Sequence, residues 1–117
     1  MDFMTFYMLL FWAPKHRLAT PRSPEQARES GELWRSWEQA LRQAGHSVTG
    51  AQLEATGSRL MGPEKAIADG PFGDDHVMGG YFVVSASSLE QATDLAKGCP
   101  VLANGGTVEV RPVMHAD

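Results

Sequence analysis

Two segments of the chain carry the same signature of a capped helix, and they constrain the fold more than any other feature. Residues 23–45 and 88–98 each open with a serine that is followed three residues later by a glutamine, and each closes on a glycine. At this spacing the serine and glutamine side chains can accept hydrogen bonds from backbone N–H groups at the start of a helix. Glycine readily adopts the left-handed backbone conformation that ends a helix. In the longer segment, apolar residues recur at three- and four-residue steps, at Ala27, Leu33, Trp34, Trp37, Ala40, Leu41 and Ala44. The sequence therefore predicts two helices, each with one apolar face.

Strand-like segments lie around these helices. Residues 6–12 (FYMLLFW) form a continuous apolar run that is typical of a buried strand, and residues 80–86 (GYFVVSA) are rich in β-formers. Residues 107–113 (TVEVRPV) alternate apolar and charged side chains, as on a half-buried strand. Short glycine-separated segments between 47 and 68 predict one strand and then a hairpin. Residues 13–22 contain two prolines and predict a loop.

The resulting order is β–α–β(β–β)–β–α–β. It predicts an α+β fold with a ferredoxin-like antiparallel sheet, an added hairpin and both helices on one face of the sheet. With 117 residues the chain has room for one hydrophobic core, so we expect a single domain over residues 1–117.

The other face of this sheet has no helix to cover it. The strands at 6–12 and 80–86 are too apolar for a face in water, and exposed apolar area of that size usually marks an interface. We therefore expect a homodimer with twofold symmetry, which is the commonest arrangement of identical subunits.

Charge and cysteine content exclude several classes of function. The net charge of −4 argues against nucleic acid, because phosphate binding needs a basic face. The apolar run near the N-terminus is too short to cross a membrane, and its first positive charge, Lys15, follows the run, unlike in a signal peptide. The single cysteine allows neither an intrachain disulfide nor a thiolate zinc site. We expect a cytoplasmic protein with no nucleic-acid or membrane partner.

The stretch DGPFGDDHVMGGYFVV at residues 69–84 is the richest in candidate chemistry. Asp69 could serve as a general base or as a carboxylate that anchors a ligand. It could equally cap the turn that follows, since aspartate does so well before Gly-Pro. The two roles are compatible. Gly79 and Gly80 predict a bend, or a close approach of backbone from another strand.

Asp74, Asp75 and His76 form an acidic cluster with a histidine inside this stretch. Adjacent ligands do not converge easily on one ion, so an exposed acidic loop is favoured over a metal site. We expect no metal and no cofactor.

Trp34 and Trp37 lie three residues apart on one helix face and should lie together. Core packing accounts for both, although tryptophans also line apolar ligand pockets, here together with Phe72 and Met78. His46 follows the glycine that ends the first helix, which suits a cap or surface residue, with use as a base as the alternative.

Cys99 follows the second helix. The negative end of the helix dipole disfavours a thiolate there, so we expect an inert thiol. His16 and His115 receive no role.

Several motifs together resemble one known family. The segments MLLFW, ELWRSWEQALRQAG, ADGPF, GGYFVVSASSLEQATDLAKGCP and GGTVEVRPV occur in the order and spacing of the DGPF branch of the YCII-related domain family. The resemblance implies a ferredoxin-like subunit that forms a dimeric α/β barrel, related in fold to muconolactone isomerases and small cofactor-free monooxygenases. Some relatives accompany alternative sigma factors.

The resemblance also implies a site. YCII-type relatives are thought to use a His–Asp pair, whose aspartate corresponds to Asp69 here. Their histidine corresponds to Trp34, so the pair is incomplete and its proton carrier is absent. The segment that follows DGPF is also shorter than in relatives and lacks their Lys-Glu pair.

Two hypotheses follow from these observations. The first is a homodimer that binds a small organic ligand, with enzyme-like chemistry in a pocket between sheet and helices. Asp69 would be the catalytic or anchoring carboxylate, and the walls would be Trp34, Trp37, His46, Phe72 and Met78. The alternative is a non-catalytic regulatory or interaction module, for example in sigma-factor signalling.

Overall fold

The computed structural model describes residues 5–19, 22–73 and 75–114, with no side chains described at 18 and 19. Asp74 and His115 lie outside the described residues. The strands are β1 Thr5–Pro14, β2 Val48–Gln52, β3 Ser58–Met61, β4 Ala66–Asp69, β5 His76–Ala86 and β6 Thr107–Pro112. The helices are α1 Lys15–Ala19, α2 Pro24–Gln43, α3 Leu89–Ala96 and a 3-10 helix at Pro100–Asn104.

Four strands form the main sheet in the order β2-β5-β1-β6, and every neighbouring pair is antiparallel. Strands β1 and β5, the first and third strands of this sheet in chain order, thus lie at its centre. Strands β2 and β6, which follow α2 and α3, lie at its edges. This is the order of a ferredoxin-like fold. The predicted α+β class, the antiparallel sheet and the separate β3–β4 hairpin are confirmed.

The serines predicted to cap α2 and α3 form hydrogen bonds at the starts of both helices. The Ser23 side chain accepts a hydrogen bond from the Gln26 N–H at 3.1 Å, and the Gln26 side chain accepts one from the Ser23 N–H at 3.0 Å. Ser88 caps α3 in the same way. There, however, the glutamine Oε1 accepts from the Ser87 N–H at 2.7 Å, one residue earlier than the capping box requires.

The core lies between the sheet and α2 with α3. Tyr7, Leu9 and Phe11 alternate along β1 toward the helices, and all three are buried. They pack in one buried cluster with Trp37 of α2 and Ala92 of α3, among others. Alternation on a strand therefore places the opposite side chains of β1 on the other face.

That other face is apolar at its centre. The paired residues Met8 and Val83, and Leu10 and Tyr81, are half-buried there. Since the described α2 and α3 both pack on the opposite side, neither covers this face. We call it the outer sheet face.

Gly79 interrupts the pairing of β1 with β5. Phe11 pairs with Gly80 and Trp12 pairs with Met78, so Gly79 is the extra residue of a bulge. A Cβ atom on Gly80 would lie 2.9 Å from the backbone oxygen of Ala51. The predicted bend and close backbone approach are both present here.

Three details differ from the sequence prediction. Residues 15–19 form the short helix α1 instead of a loop, and residues 100–104 form a 3-10 helix that was not predicted. Strand β5 begins at His76, so the last residue of the predicted exposed acidic loop belongs to the sheet, and Val77 after it is buried. The polar side chains at the start of β5 do not favour a strand. The strand forms there because its backbone pairs with β1.

Candidate functional site

Asp69 is the last residue of β4 and pairs with Ser58 of β3. It is exposed, and among the described residues its carboxylate makes no side-chain hydrogen bond. The turn after it is held by a backbone hydrogen bond from the Gly70 N–H to the Gly57 oxygen at 2.8 Å. The structure thus places the predicted carboxylate on the hairpin, on its solvent-exposed surface.

Phe72 lies at the base of the same hairpin. The Arg59 guanidinium lies over its ring, 4.4 Å from the ring centroid. This cation–π contact joins β3 to the segment before β5, so Phe72 contributes to the hairpin base. Among the described residues, the aromatic contacts of Trp34 and Trp37 are with Phe11, Phe82 and each other, and not with Phe72.

Trp34 and Trp37 lie together as predicted, with ring centroids 5.8 Å apart. Their rings pack against Phe11 and Phe82 of the sheet, with Trp37 stacked on Phe82 at 5.3 Å. The Trp37 indole N–H also donates to the Leu95 backbone oxygen at 3.3 Å, which ties α2 to the second helix. The four rings fill the space between sheet and α2, so both tryptophans act as core residues here.

His46 is buried, unlike the surface residue that its position suggested. Its Nδ1 lies 2.7 Å from the Ser85 backbone oxygen, and because a carbonyl only accepts, Nδ1 carries the proton and donates. The next N–H, of Ser47, donates to the Ser85 hydroxyl at 2.8 Å. The imidazole therefore anchors the end of α2 to β5.

Met78 and Cys99 lie in different parts of the molecule. Met78 is half-buried opposite Trp12 in the sheet, and Cys99 is buried before the 3-10 helix. Burial raises the pKa of the Cys99 thiol to about 11, so it stays protonated at neutral pH. This agrees with the inert thiol predicted from the sequence.

The described residues contain no group of three or more His, Cys, Asp or Glu side chains placed to hold a metal ion. Asp75 is exposed, and His76 Nε2 lies 3.3 Å from the Gly105 backbone oxygen. The third member of the predicted acidic cluster, Asp74, lies outside the described residues.

Two adjoining cavities lie beside the 3-10 helix, lined by the predicted helix α2 and by segments that the sequence analysis did not assign to helices. The first has a volume of about 500 Å³ and is lined by His16, Arg17, Arg22, Gln26, Glu29, Ser30, Leu33, Pro100 and Asn104. The second has a volume of about 670 Å³ and is lined by Pro14, Lys15, His16, Asp75, His76, Asn104 and Gly105. Because they share His16 and Asn104, they form one open groove, which we call the α1–α2 groove.

Basic side chains dominate one end of this groove. Arg17 is half-buried and Arg22 is exposed, and neither forms an ion pair or hydrogen bond with another described residue. Glu29 is the acidic residue on the same cavity. Residues 15–28 contain four basic residues and one acidic residue in a chain of net charge −4. That local excess is the sequence signal that could have pointed to the groove.

The predicted site residues are therefore dispersed. The structure brings Trp34 and Trp37 together, whereas Asp69 and Phe72 belong to the hairpin region, His46 to the end of α2 and Met78 to β5. No hydrogen bond joins Asp69 to Trp34 within the described residues. Nor do those residues include a helix of the length and apolarity needed to cross a membrane.

Comparison with known proteins identifies the family. No curated protein matches the chain. Among solved structures, the B. subtilis GlnK–ATP complex is similar, with a TM-score of 0.42 and 16% identity over 97% of this chain and 84% of that chain. The sequence profile of the YCII-related domain matches residues 5–117. The chain therefore belongs to the YCII-related domain family.

Proposed function

We propose that the protein is a small-molecule-binding homodimer whose α1–α2 groove takes an organic anion. The observation that carries this proposal is the presence of Arg17 and Arg22 on one cavity of about 500 Å³, neither of them paired with a described acidic residue. Cavities of this size suit small organic ligands.

The lining chemistry suggests the class of ligand. Guanidinium groups bind carboxylates and phosphates through two parallel hydrogen bonds. Leu33 and Pro100 supply an apolar wall for the body of a ligand, and the side chains of Ser30 and Asn104 offer uncharged polar contacts. Glu29 would disfavour a second anionic group at its own side of the cavity. A carboxylate or phosphate on a compact organic body fits this combination best.

The catalytic residues predicted from the sequence do not line the groove, and for that reason we propose binding and not catalysis. General acid–base catalysis needs a side chain within hydrogen-bond reach of the proton that it transfers. Here Asp69 is exposed on the hairpin, the Nδ1–H of His46 is engaged by Ser85, and the Cys99 thiol is buried and protonated. The same observations support the second candidate, a non-catalytic regulatory module that reports on its ligand to a protein partner.

Asp69 does not line the α1–α2 groove, so we propose it as a polar contact of the hairpin and not of the anion. Its exposed carboxylate makes no hydrogen bond within the described residues, so it is available to a ligand or to the second subunit. We also place the protein in the cytoplasm, on the grounds of its single cysteine and its composition.

Thermal shift tests the proposal with a panel of mono- and dicarboxylates, inorganic phosphate and sugar phosphates, each paired with a neutral analogue. A ligand that binds only the folded state stabilises it by about 2.7 kcal/mol at one hundred times its Kd. We expect an anion to raise the Tm of the wild type, and the double variant R17Q/R22Q to lose that shift. Arg28→Gln is the matched control, because Arg28 lies on α2 outside the cavity lining.

Two results would overturn the groove assignment. One is an anion whose Tm shift is the same in R17Q/R22Q as in the wild type. The other is a neutral analogue that stabilises the protein as strongly as its anion. Loss of the shift in Asp69→Asn but not in R17Q/R22Q would move the site to the hairpin.

A further inference from the structure

One side of α2 forms a wall of the first cavity of the α1–α2 groove. Four residues of this helix line the cavity at three- and four-residue steps, namely Gln26, Glu29, Ser30 and Leu33. Residues at these steps lie on the same side of a helix, so the four side chains form one stripe. The stripe begins with polar side chains and ends on an apolar one.

Unpaired charges of both signs meet on this cavity. Arg17 of α1 and Arg22 before α2 form no ion pair with a described residue, and neither does Glu29. The glutamate and the two arginines therefore line one space without neutralising one another. Each of the three charges is left to a partner of opposite sign, with which it can form a charge-assisted hydrogen bond.

The number of these charges restricts the ligand. With histidine neutral, two arginines and one glutamate give the cavity lining a formal charge of +1. A simple carboxylate or phosphate pairs with the arginines and leaves the Glu29 carboxylate without a partner. A ligand with two acidic groups and one ammonium group pairs with all three side chains and carries the complementary net charge.

We propose that the groove takes an acidic amino acid, that is, a compact aminodicarboxylate whose ammonium group binds Glu29 and whose two carboxylates bind Arg17 and Arg22. This inference rests on the anion site of the proposed function and names the class of its ligand. The Ser30 hydroxyl, one residue further along α2, can accept a hydrogen bond from the same ammonium group. Leu33 and Pro100 form the apolar wall for the methylene groups of the ligand.

Isothermal titration of matched ligands at low salt tests this inference. L-Glutamate and L-aspartate carry all three charges. A hydroxyl in place of the ammonium group gives 2-hydroxyglutarate and malate, and an amide in place of the side-chain carboxylate gives glutamine and asparagine. We expect the better-bound amino acid to bind the wild type at least about tenfold more tightly than either of its own analogues, equivalent to about 1.4 kcal/mol.

Glu29→Gln separates the ammonium contact from the carboxylate contacts. We expect it to weaken binding of the amino acid by at least about tenfold. The hydroxy analogue should bind equally well or more tightly, because the variant removes a negative charge from the site of a dianion. Glu32→Gln is the matched control, since Glu32 is also exposed on α2 but lies outside the cavity lining. Circular dichroism checks that both variants keep the wild-type fold.

The outcomes distinguish this inference from the proposed function. A hydroxy acid that binds the wild type as tightly as its amino acid, and that loses affinity in R17Q/R22Q, leaves the anion site standing and overturns the ammonium contact. An equal loss of both ligands in Glu29→Gln overturns it as well, and so does binding of another anion when neither amino acid binds. If no anion binds at all, the proposed function fails together with this inference.

Discussion

The body of the molecule and the β3–β4 hairpin, residues 58–69, which we call the arm, differ in how their apolar residues are used. Leu9 and Val84 in the body are fully buried, and three aromatic rings pack edge to face around Phe11. In the arm, Leu60 and Ile67 are each about 70% exposed. The body is therefore stabilised by its own buried contacts, whereas the arm leaves Leu60 and Ile67 exposed in the single chain.

Substitution of Leu9 should give the largest effect. Leu9→Ala removes a side chain with no exposed surface and leaves a cavity, so we expect the free energy of unfolding to fall by about 2–5 kcal/mol. Leu60→Ala, measured in urea at a concentration where the protein is monomeric, should change it by less than about 0.5 kcal/mol. Equal losses at the two positions would mean that the arm packs within its own chain.

The buried thiol of Cys99, which lies in the body and not in the arm, should make the free energy of unfolding depend on pH above pH 9. The pKa of Cys99 rises from 9.0 when unfolded to about 11 when folded, so its stabilising contribution is complete below pH 9 and is lost as the pH passes 11. We expect the difference in unfolding free energy between wild type and Cys99→Ala to shrink by about 2–3 kcal/mol over this range, at about 1.4 kcal/mol per pKa unit.

Urea titrations of both proteins at pH 8, 9, 10 and 11 measure this difference directly. Because lysine and tyrosine titrate equally in the two proteins, their contributions cancel. A constant difference across this range would show that the thiol is not buried.

The smallest expected effect is at the base of the arm. Arg59→Ala removes the contact with Phe72, which is worth about 0.5–1 kcal/mol at an exposed site. We expect faster hydrogen exchange in residues 58–69 of the monomer and unchanged global stability. Arg111→Ala serves as control, since Arg111 lies on β6 away from the arm. Slower exchange in the arm, or a global loss of stability, would contradict the separation of arm and body.

The sequence predicted the elements that local signals specify. Ser23 and Gln26 mark the start of α2. Of the predicted apolar face, Trp34, Trp37 and Leu41 pack toward the sheet, whereas the other four residues are exposed: Ala27, Leu33, Ala40 and Ala44. The order of strands and helices then led to the ferredoxin-like sheet. These features depend on neighbours within a few residues, which is why one sequence suffices to find them.

The candidate site was harder to predict because it depends on tertiary contacts. Arg17 lies on α1 and Asn104 on the 3-10 helix, the two short elements that carry no strong local signal and were not predicted. Asp69 was placed in a pocket between sheet and helices, yet its pairing with Ser58 puts it on the arm. Strand register of this kind is set by cross-strand packing and turn geometry, and the short segments between 47 and 68 define neither clearly.

Isothermal titration of the anion selected by thermal shift tests the central claim, which is ligand binding in the α1–α2 groove, most directly. The account predicts one site per chain, an affinity that weakens as salt rises because the contact is charged, and a loss of at least about tenfold, or about 1.4 kcal/mol, in R17Q/R22Q but not in Arg28→Gln. Binding that is unchanged by R17Q/R22Q and insensitive to salt would contradict the account.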